Sequence, residues 1–284
     1  MSALISGLFR FPVKSMGGEA HDSLELTAKG IAGDRAWAVR DSKRGGIRGA
    51  KKIPSLMSLN AAFTGEVALS GSSPARITAP DGSTRDTGSA DVNEWLSEKL
   101  DHPVTLWPLL PEDALDHYRR GAPDHDDLET ELRAMFGRTP EEPLPDLTLF
   151  AEVLEFESPP GTYFDAFPLL VMTQQSLATM TQRYPDSQFH VDRFRPNILI
   201  DTPDDTHPFP EAQWVGKHLH LGDVVLEVVG ECPRCSMTTH GFSSLPKDTA
   251  VMRALVEAND GCLGVYTKIV DIGTLNVGDT LQVK

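Results

Sequence analysis

The amino-acid sequence predicts a mostly β protein of the α+β class, with a few helices. Short apolar runs are separated by turns that contain glycine, a pattern typical of β-barrels and β-sandwiches. Three stretches carry helix signals, and we find no repeats or low-complexity tracts. The 284 residues, 40% of them hydrophobic, suffice for a normal core in one large or two small domains.

Strands are predicted where apolar residues lie between turn residues. In chain order these are residues 6–11, 24–27, 37–39, one or two strands within 56–69, then 168–173, 198–200, a hairpin within 214–229, 266–270 and 281–283. The hairpin is expected to turn at 221–223. Its second strand, 224–229, is expected to be buried and to stop at Gly230.

Helices are predicted from apolar spacing and from capping residues. Apolar residues fall on one face over 91–100, and Thr173 is a good N-cap for a helix over 174–183. A third helix is expected near 128–136. It lies in the segment 111–146, which is rich in Asp, Glu, Pro and Arg, and the favoured interpretation of that segment is a solvated surface insert.

Composition limits the partners and the compartment. A net charge of −15 argues against binding to nucleic acid or to anionic membranes. The chain has no apolar run of about 18 residues, so we expect no membrane span. Residues 1–5 lack the features of a signal peptide, and three cysteines do not form a secreted disulfide framework. We therefore expect a cytoplasmic protein.

The sequence Cys232-Pro233-Arg234-Cys235 holds two of the three cysteines. A neighbouring cation lowers a thiol pKa, so Arg234 favours Cys235 as a thiolate. Three alternatives stay open at this point. Cys232, Cys235, His240 and Cys262 could hold zinc, although their spacing matches no common zinc pattern. The pair could be a thioredoxin-like redox site, although a helix after Cys235 is not expected, or two inert buried cysteines.

A second signal is a set of loop residues that could form an anion pocket. Arginine and lysine recognise phosphate by charge and by paired hydrogen bonds, although each of these residues alone is more often an ion-pair partner. The set is Lys14, Ser15, Arg35, Arg195 and Arg234. Asp165 is either a polar loop residue or a proton donor. Walker A, dinucleotide-binding and serine-hydrolase motifs are absent from the sequence.

Several motifs together resemble the MOSC family, named for the C-terminal domain of molybdenum cofactor sulfurases. They are, in order, Phe11-Pro12-Val13-Lys14-Ser15, Gly33-Asp34-Arg35-Ala36-Trp37, Phe194-Arg195-Pro196-Asn197-Ile198, Cys232-Pro233-Arg234-Cys235 with Thr238-Thr239, Gly264-Val265-Tyr266 and Val277-Gly278-Asp279. The resemblance implies an N-terminal β-barrel domain over 1–122, then a MOSC β-barrel over 123–284. Within the family, the chain resembles the amidoxime-reducing-component-like proteins.

The resemblance also implies one molybdenum–molybdopterin cofactor. By matching positions, Cys235 is the metal ligand and a catalytic residue, and Asp165 is a second catalytic residue near the metal. Soft sulfur ligation suits such a centre. The residues matched to cofactor contacts are Lys14, Ser15, Arg35, Arg195, Asn197 and Arg234. Cys232 matches no ligand of the family. The chain departs at Ala166-Phe167, where some relatives have a polar side chain.

The resemblance implies a molybdenum-dependent oxidoreductase that reduces small N-hydroxylated or N-oxide compounds. Some bacterial relatives carry a fused iron–sulfur domain. This chain has three cysteines and ends at Lys284, so we expect no fused cluster and a separate ferredoxin, flavoprotein or cytochrome-like electron donor. The alternatives are a sulfur carrier with a persulfide on Cys235 and a non-catalytic cofactor carrier.

Overall fold

The computed structural model describes residues 2–148, 150, 155–203 and 206–284. Its strands are β1 Leu4–Arg10, β2 Glu19–His21, β3 Ser23–Thr27, β4 Gly30–Ile31, β5 Trp37–Asp41, β6 Ile47–Arg48, β7 Asn60–Phe63, β8 Ala75–Thr78, β9 Thr84–Asp86, β10 Val104–Pro108, β11 Leu169–Thr173, β12 Ile198–Asp201, β13 His218–Leu221, β14 Val224–Pro233, β15 Cys262–Asp271, β16 Gly273–Asn276 and β17 Leu281–Val283. Its α-helices are α1 Val92–Leu100, α2 Leu115–Tyr118, α3 Leu128–Phe136, α4 Gln174–Arg183, α5 Val191–Phe194 and α6 Ala250–Asn259. The predicted mostly β class with a few helices is confirmed.

One eight-stranded sheet dominates the fold, in the order β17-β13-β14-β15-β11-β12-β1-β2. Strands β11 and β12 are parallel, and the other neighbours pair antiparallel. An isolated bridge between Leu4 and Thr280 brings β1 towards β17, and Leu281 N donates to Ala3 O at 2.9 Å. The described strands thus curl towards closure, but their continuous pairing does not complete either predicted barrel.

Strands from the two ends of the chain share sheets. In the large sheet β1 pairs with β12, and in a three-stranded sheet β3 lies between β4 and β16. Two further three-stranded sheets have the orders β10-β5-β6 and β7-β8-β9. Strands from both sides of residues 122 and 123 therefore pair with one another. The predicted division into two domains at this point stays a prediction.

The two cysteines of the C-x-x-C sequence lie against different cores. Cys232 is buried in a cluster built on α4, α6 and the outer face of the large sheet. Cys235 and Met237 pack against a second cluster formed by residues 13–106. The loop that carries Cys235 therefore lies between the large sheet and the smaller N-terminal sheets.

Most predicted elements are present, and the structure adds others. Strand β14 does not stop at Gly230 but continues to Pro233, and its register shifts on either side of this glycine. Residues 56–69 contain one strand, β7, within the one or two predicted, and this strand follows a 3-10 helix, Pro54–Ser58, that was not predicted. Helix α6 was not predicted, although its buried apolar residues recur at helical spacing. The Thr173 cap is confirmed, because its side chain accepts from Ser176 N.

None of the described helices is long and apolar enough to cross a membrane.

Arg193 anchors the loop that follows Cys235. Its fully buried guanidinium donates to Gln188 O at 2.8 Å, to His240 O at 2.9 Å and to Pro246 O at 2.6 Å. It also donates to Thr238 O at 3.1 Å. A buried carbonyl that lost this donor would stay out of water without a hydrogen bond, which costs free energy. The hydrogen bonds to Thr238, His240 and Pro246 therefore hold the loop in place.

We expect Arg193→Met to lower the free energy of unfolding by about 3 kcal/mol or more, since several buried carbonyls lose their donor together. Urea denaturation at neutral pH measures this loss. The control is Arg183→Met on the exposed side of α4, expected to change stability by about 0.5 kcal/mol or less. Equal stabilities for the two variants would contradict the anchoring role.

A buried histidine supports the segment before β11. His117 Nε2 lies 2.7 Å from Tyr163 Oη, which donates to Pro108 O at 2.6 Å. The hydroxyl must therefore accept from a protonated Nε2, and His117 is neutral, with no described partner for Nδ1. Tyr163 in turn places its own carbonyl 2.8 Å from Lys14 Nζ.

Burial lowers the pKa of His117 from 6.5 to about 4. Between these values the unfolded chain binds a proton that the folded protein does not, so stability is lost as the pH falls through this window. We expect the wild type to lose about 2 kcal/mol more than His117→Gln between pH 7 and pH 4.5. Urea denaturation across this range measures both proteins, and parallel profiles would show that His117 does not titrate as described.

Candidate functional site

Cys235 lies immediately beyond the end of β14. Arg234 N donates to Gly261 O at 2.8 Å, which ties the end of this strand to the turn before β15. A four-residue 3-10 helix, Ser236–Thr239, begins directly after Cys235. The side chain of Cys235 is partly exposed, whereas Cys232 is buried. The strand therefore presents Cys235, not Cys232, at the start of a loop that Arg193 holds in place.

All the residues that the sequence analysis assigned to the site line one cavity of about 70 Å³ at Cys235, which we call the central cavity. They come from loops far apart in the sequence: Lys14, Ser15, Arg35, Asp165, Arg195, Asn197, Arg234 and Cys235. The structure shows that these residues lie together. The roles given to them stay predictions.

Asp165 lies between two lysines. Its Oδ1 is 2.8 Å from Lys14 Nζ and 3.6 Å from Lys51 Nζ. Lys14 is almost fully buried and also donates to Tyr163 O and to Ser158 Oγ. Burial would raise the pKa of Asp165, but the two ammonium groups hold it well below its usual range. Asp165 is therefore a carboxylate at neutral pH, and 46% of its side chain is exposed.

Asn197 joins the two motifs that carry the arginines. Its Nδ2 donates to Asp34 Oδ2 at 2.9 Å, and its Oδ1 accepts from Leu170 N at 3.3 Å and from Arg35 Nη1 at 3.4 Å. The Asp34 carboxylate also pairs with Arg35 and accepts from Phe11 N. The amide of Asn197 is thus occupied by protein partners, and it positions Arg35.

Arg195 has an unused donor. Its guanidinium lies 4.0 Å from the centre of the Phe11 ring, and Nη1 donates to Met16 O. Nη2 is buried and has no hydrogen-bond partner among the described residues. Burial, with a smaller effect of Arg35, lowers the pKa of Arg195 to about 9. Burying a guanidinium N–H without a hydrogen bond costs free energy. Arg195 Nη2 is therefore a donor for which the described residues supply no acceptor.

The backbone is strained at three of these residues. Ser15, Arg35 and Arg195 have φ angles of 67°, 49° and 56°, in the left-handed region that favours glycine. They are half of the six non-glycine residues with positive φ among those described. Ser15 is held there in part because its hydroxyl accepts from Ala50 N at 2.9 Å. Strained backbone that clusters in this way is typical of functional sites.

Arg234 lowers the pKa of the Cys235 thiol, as the sequence predicted, but it is not the main cation that does so. Its Nη1 donates to Cys232 Sγ at 3.0 Å and its Nη2 to Phe194 O at 2.6 Å. Burial raises the pKa of the Cys235 thiol, and Lys51, ahead of Arg234, is the main cation that opposes this rise. Its smaller effect follows from side-chain direction, because the arginine turns back towards the other cysteine.

The two other cysteine chemistries are not supported by the geometry. No group of three or more His, Cys, Asp or Glu side chains among the described residues is placed to hold a metal ion, so the suggested zinc set does not assemble. His240 Nε2 instead lies 3.0 Å from Ala50 O. A thioredoxin-like pair needs an α-helix at the second cysteine, and here a single 3-10 turn follows.

A second cavity, of about 330 Å³, lies on the other side of Cys235 and shares Asp165, Cys235 and Tyr266 with the central cavity. We call it the α3 cavity, because helix α3 forms one of its walls. Most residues of the segment 111–146 are exposed, as predicted for a solvated insert, but helix α3 within it also contributes to this cavity. The apolar side chains of α3 turn towards the cavity, and Glu131 of the same helix is buried against Lys52.

Sequence reasoning missed Lys51 and Tyr266 as site residues. Lys51 follows no recognisable motif, and only the fold places its ammonium beside Asp165 and the Cys235 thiol. Tyr266 belongs to a quoted C-terminal motif but was given no role. Burial raises the pKa of Tyr266 well above its usual value, and the nearby Cys232 and Asp165 add smaller effects in the same direction. The Tyr266 hydroxyl therefore stays protonated.

Comparisons with known proteins give the family. The model of the MOSC domain matches residues 159–282, and that of the MOSC N-terminal beta barrel domain matches residues 2–103. Mitochondrial amidoxime reducing component 2 from Homo sapiens is 32% identical over 158 residues, 51% of this chain and 43% of the relative. Molybdenum cofactor sulfurase from Danio rerio is 25% identical over 291 residues, 93% of this chain and 32% of the relative.

The chain spans 43% and 32% of the length of these two curated relatives. Among solved structures, the YUAD protein from Bacillus subtilis aligns over 100% of this chain and 96% of its own, at 12% identity and a TM-score of 0.44. The two matching models follow one another in the order that the sequence motifs indicate. The chain therefore belongs to the MOSC domain family and has the N-terminal β-barrel domain that accompanies it.

Proposed function

We propose that this protein is a molybdenum-cofactor-dependent oxidoreductase that reduces N-hydroxylated or N-oxide compounds, with Cys235 as the metal ligand. One observation carries the proposal: a partly exposed cysteine shares its cavity with an arginine, Arg195, that has a buried donor without a partner. The curated relatives named for amidoxime reduction and for the molybdenum cofactor support the same chemistry.

The residues fit an anionic cofactor. Asp34 neutralises Arg35, so in the central cavity the cations Lys14 and Arg195 face one further carboxylate, Asp165. An added anion would balance this charge and supply the acceptor that Arg195 Nη2 lacks. The central cavity of about 70 Å³ holds only a few atoms, but a cavity of about 720 Å³ also includes Arg195 in its wall and offers room for a larger group.

A single protein thiolate suits this cofactor. The described residues provide no cluster of three ligands, so an ion held by protein side chains alone is not supported. The remaining ligands of the molybdenum would come from the pterin dithiolene and from oxo groups, and soft sulfur donors suit such a metal. When bound, the cofactor would supply two-electron redox chemistry at the metal. Cys235 would hold it, and Arg195, Arg35 and Lys14 would bind its anionic part.

The overall reaction consumes two electrons and two protons. The N–O bond of the substrate breaks and the oxygen leaves as water. In an N-hydroxylated compound the nitrogen takes one proton and the hydroxyl takes the other, whereas in an N-oxide the oxygen takes both. Asp165 is ionised, so it would accept a hydrogen bond and could pass on a proton only after receiving one. The electrons would come from a separate donor protein with an iron–sulfur, flavin or haem group.

A sulfur-carrying role is the second candidate. The molybdenum cofactor sulfurase from Danio rerio aligns with 93% of this chain, and this similarity is the reason to consider a sulfur carrier. A persulfide would form on Cys235 when its thiolate attacks the outer sulfur of a donor persulfide, whose own thiolate then leaves. Burial raises the pKa of this thiol, which disfavours the free thiolate, whereas a bound metal would stabilise it. The raised pKa of this thiol therefore favours the metal-ligand role. A cofactor carrier without turnover is a third outcome of the experiment below.

We expect protein purified from a host that makes molybdopterin to contain close to one molybdenum per chain. Cys235→Ser should remove most of the metal and all N-hydroxyl reduction, because an alcohol is a poor ligand for a soft centre. Elemental analysis and an assay with reduced methyl viologen measure both properties. Unchanged molybdenum in the variant would overturn the ligand assignment.

The matched control is Cys232→Ser. This cysteine lies three residues away and binds Arg234 through its sulfur, so a hydroxyl can take over the acceptor role. We expect it to keep the metal. A cyanide-labile sulfur without molybdenum in the wild type would favour the sulfur carrier, and full metal without turnover would favour the cofactor carrier.

A further inference from the structure

The α3 cavity has the properties of a small-molecule site. Its volume of about 330 Å³ lies within the usual range for ligand pockets, which are mostly apolar with a few polar groups. It adjoins the central cavity at Cys235 and Asp165, so a molecule bound there would have one end at the proposed metal ligand. The apolar wall consists of Leu128, Leu132, Met135, Phe136, Phe150 and Tyr266.

Most charges in this cavity neutralise one another. Lys52 pairs with Glu131 of α3, and Arg120 donates to Glu157 at 2.7 Å. Arg48 donates to the backbone oxygen of Ala122. Lys52 and Arg120 are therefore not available to hold a ligand without breaking a contact of the protein, and Nε of Arg48 is buried 3.9 Å from Asp41 Oδ2.

Lys51 is different. Among the described residues in the cavity wall, it is the one cation without a hydrogen bond to an acceptor, since Asp165 Oδ1 is 3.6 Å away and already binds Lys14 at 2.8 Å. Only 19% of its side chain is exposed. The ammonium is near enough to Cys235 to lower the pKa of the thiol, and the Cys235 thiolate in turn raises the pKa of Lys51. A donor without an acceptor therefore lies where the apolar cavity meets the cysteine.

We infer that Lys51 binds the oxygen of the substrate N–O group, while the apolar body of the substrate packs against α3. This inference rests on the proposed function and specifies its substrate class: neutral N-hydroxylated or N-oxide compounds with an aromatic or aliphatic body. A neutral molecule adds no net charge to the cavity. A cationic body would find no free counter-ion among the described residues of the wall, because Glu131, Glu157 and Asp165 already face cations of the protein. The oxygen accepts the hydrogen bond that Lys51 lacks.

The test uses benzamidoxime as the probe and molybdenum-loaded protein with reduced methyl viologen. We expect Lys51→Met to raise KM for benzamidoxime by about tenfold to a hundredfold, because a hydrogen bond from a charged donor is lost. The molybdenum content should stay at the wild-type level. Lys51→Arg, which keeps a charged donor, should restore most of the affinity.

A matched lysine variant and a wall variant complete the design. Lys29→Met removes an exposed ammonium far from the α3 cavity and should leave KM unchanged. Leu132→Asp should raise KM for benzamidoxime but not for hydroxylamine, which has an N–O group and no apolar body. Thermal denaturation of each variant shows whether the fold is retained.

The outcomes separate this inference from the proposed function. Wild-type KM in a fully loaded Lys51→Met protein overturns the role of Lys51. Wild-type protein that contains molybdenum but reduces neither probe overturns the proposed function. In that case calorimetric titration of benzamidoxime still decides the binding role, since an affinity that depends on Lys51 supports it and equal or absent binding in wild type and variant overturns it.

Discussion

The ion pair between Lys14 and Asp165 joins the first loop of the chain to the segment before β11, and the site is built around it. Burying the Lys14 ammonium is costly, and the 2.8 Å contacts with Asp165 and with Tyr163 O offset that cost. Because Asp165 also faces Lys51, one carboxylate serves two ammonium groups. With Arg195 nearby, the cavity keeps an excess of positive charge in a protein whose net charge is −15. The pocket is therefore suited to an anion that the rest of the surface would repel.

The strained backbone at Ser15, Arg35 and Arg195 fixes the directions in which their side chains point. Left-handed conformations at non-glycine residues cost about 1 to 3 kcal/mol each and persist only where surrounding contacts impose them. Here the contacts come from across the fold: Ala50 N holds the Ser15 hydroxyl, and Asn197 and Asp34 hold Arg35. The donors are thus fixed before any ligand arrives, which reduces the entropy that binding would cost.

The sequence was informative where chemistry is local and less so where it depends on distant contacts. The Thr173 cap and the hairpin of β13 and β14 follow from neighbouring residues, and the motifs identified the side chains that converge in the central cavity. The continuation of β14 beyond Gly230 depends on pairing with β15, which no local turn signal reveals. Lys51 carries no motif, and its importance comes from Asp165, a residue far away in the sequence.

The two cavities at Cys235 differ in how they are held. The central cavity is fixed by buried ion pairs and strained backbone, whereas the α3 cavity depends on a nine-residue helix that is too short to be stable alone. That helix is attached by the contact of Glu131 with Lys52 and by Arg253 of α6, which donates to Gly137 O. None of the residues of this helix lines the central cavity, so this wall can change without disturbing the residues around Cys235. Substrate preference can therefore vary through α3 while the cation pocket is kept, because Cys235, Asp165 and Tyr266 are the only residues that line both cavities in the part of the chain that the structure describes.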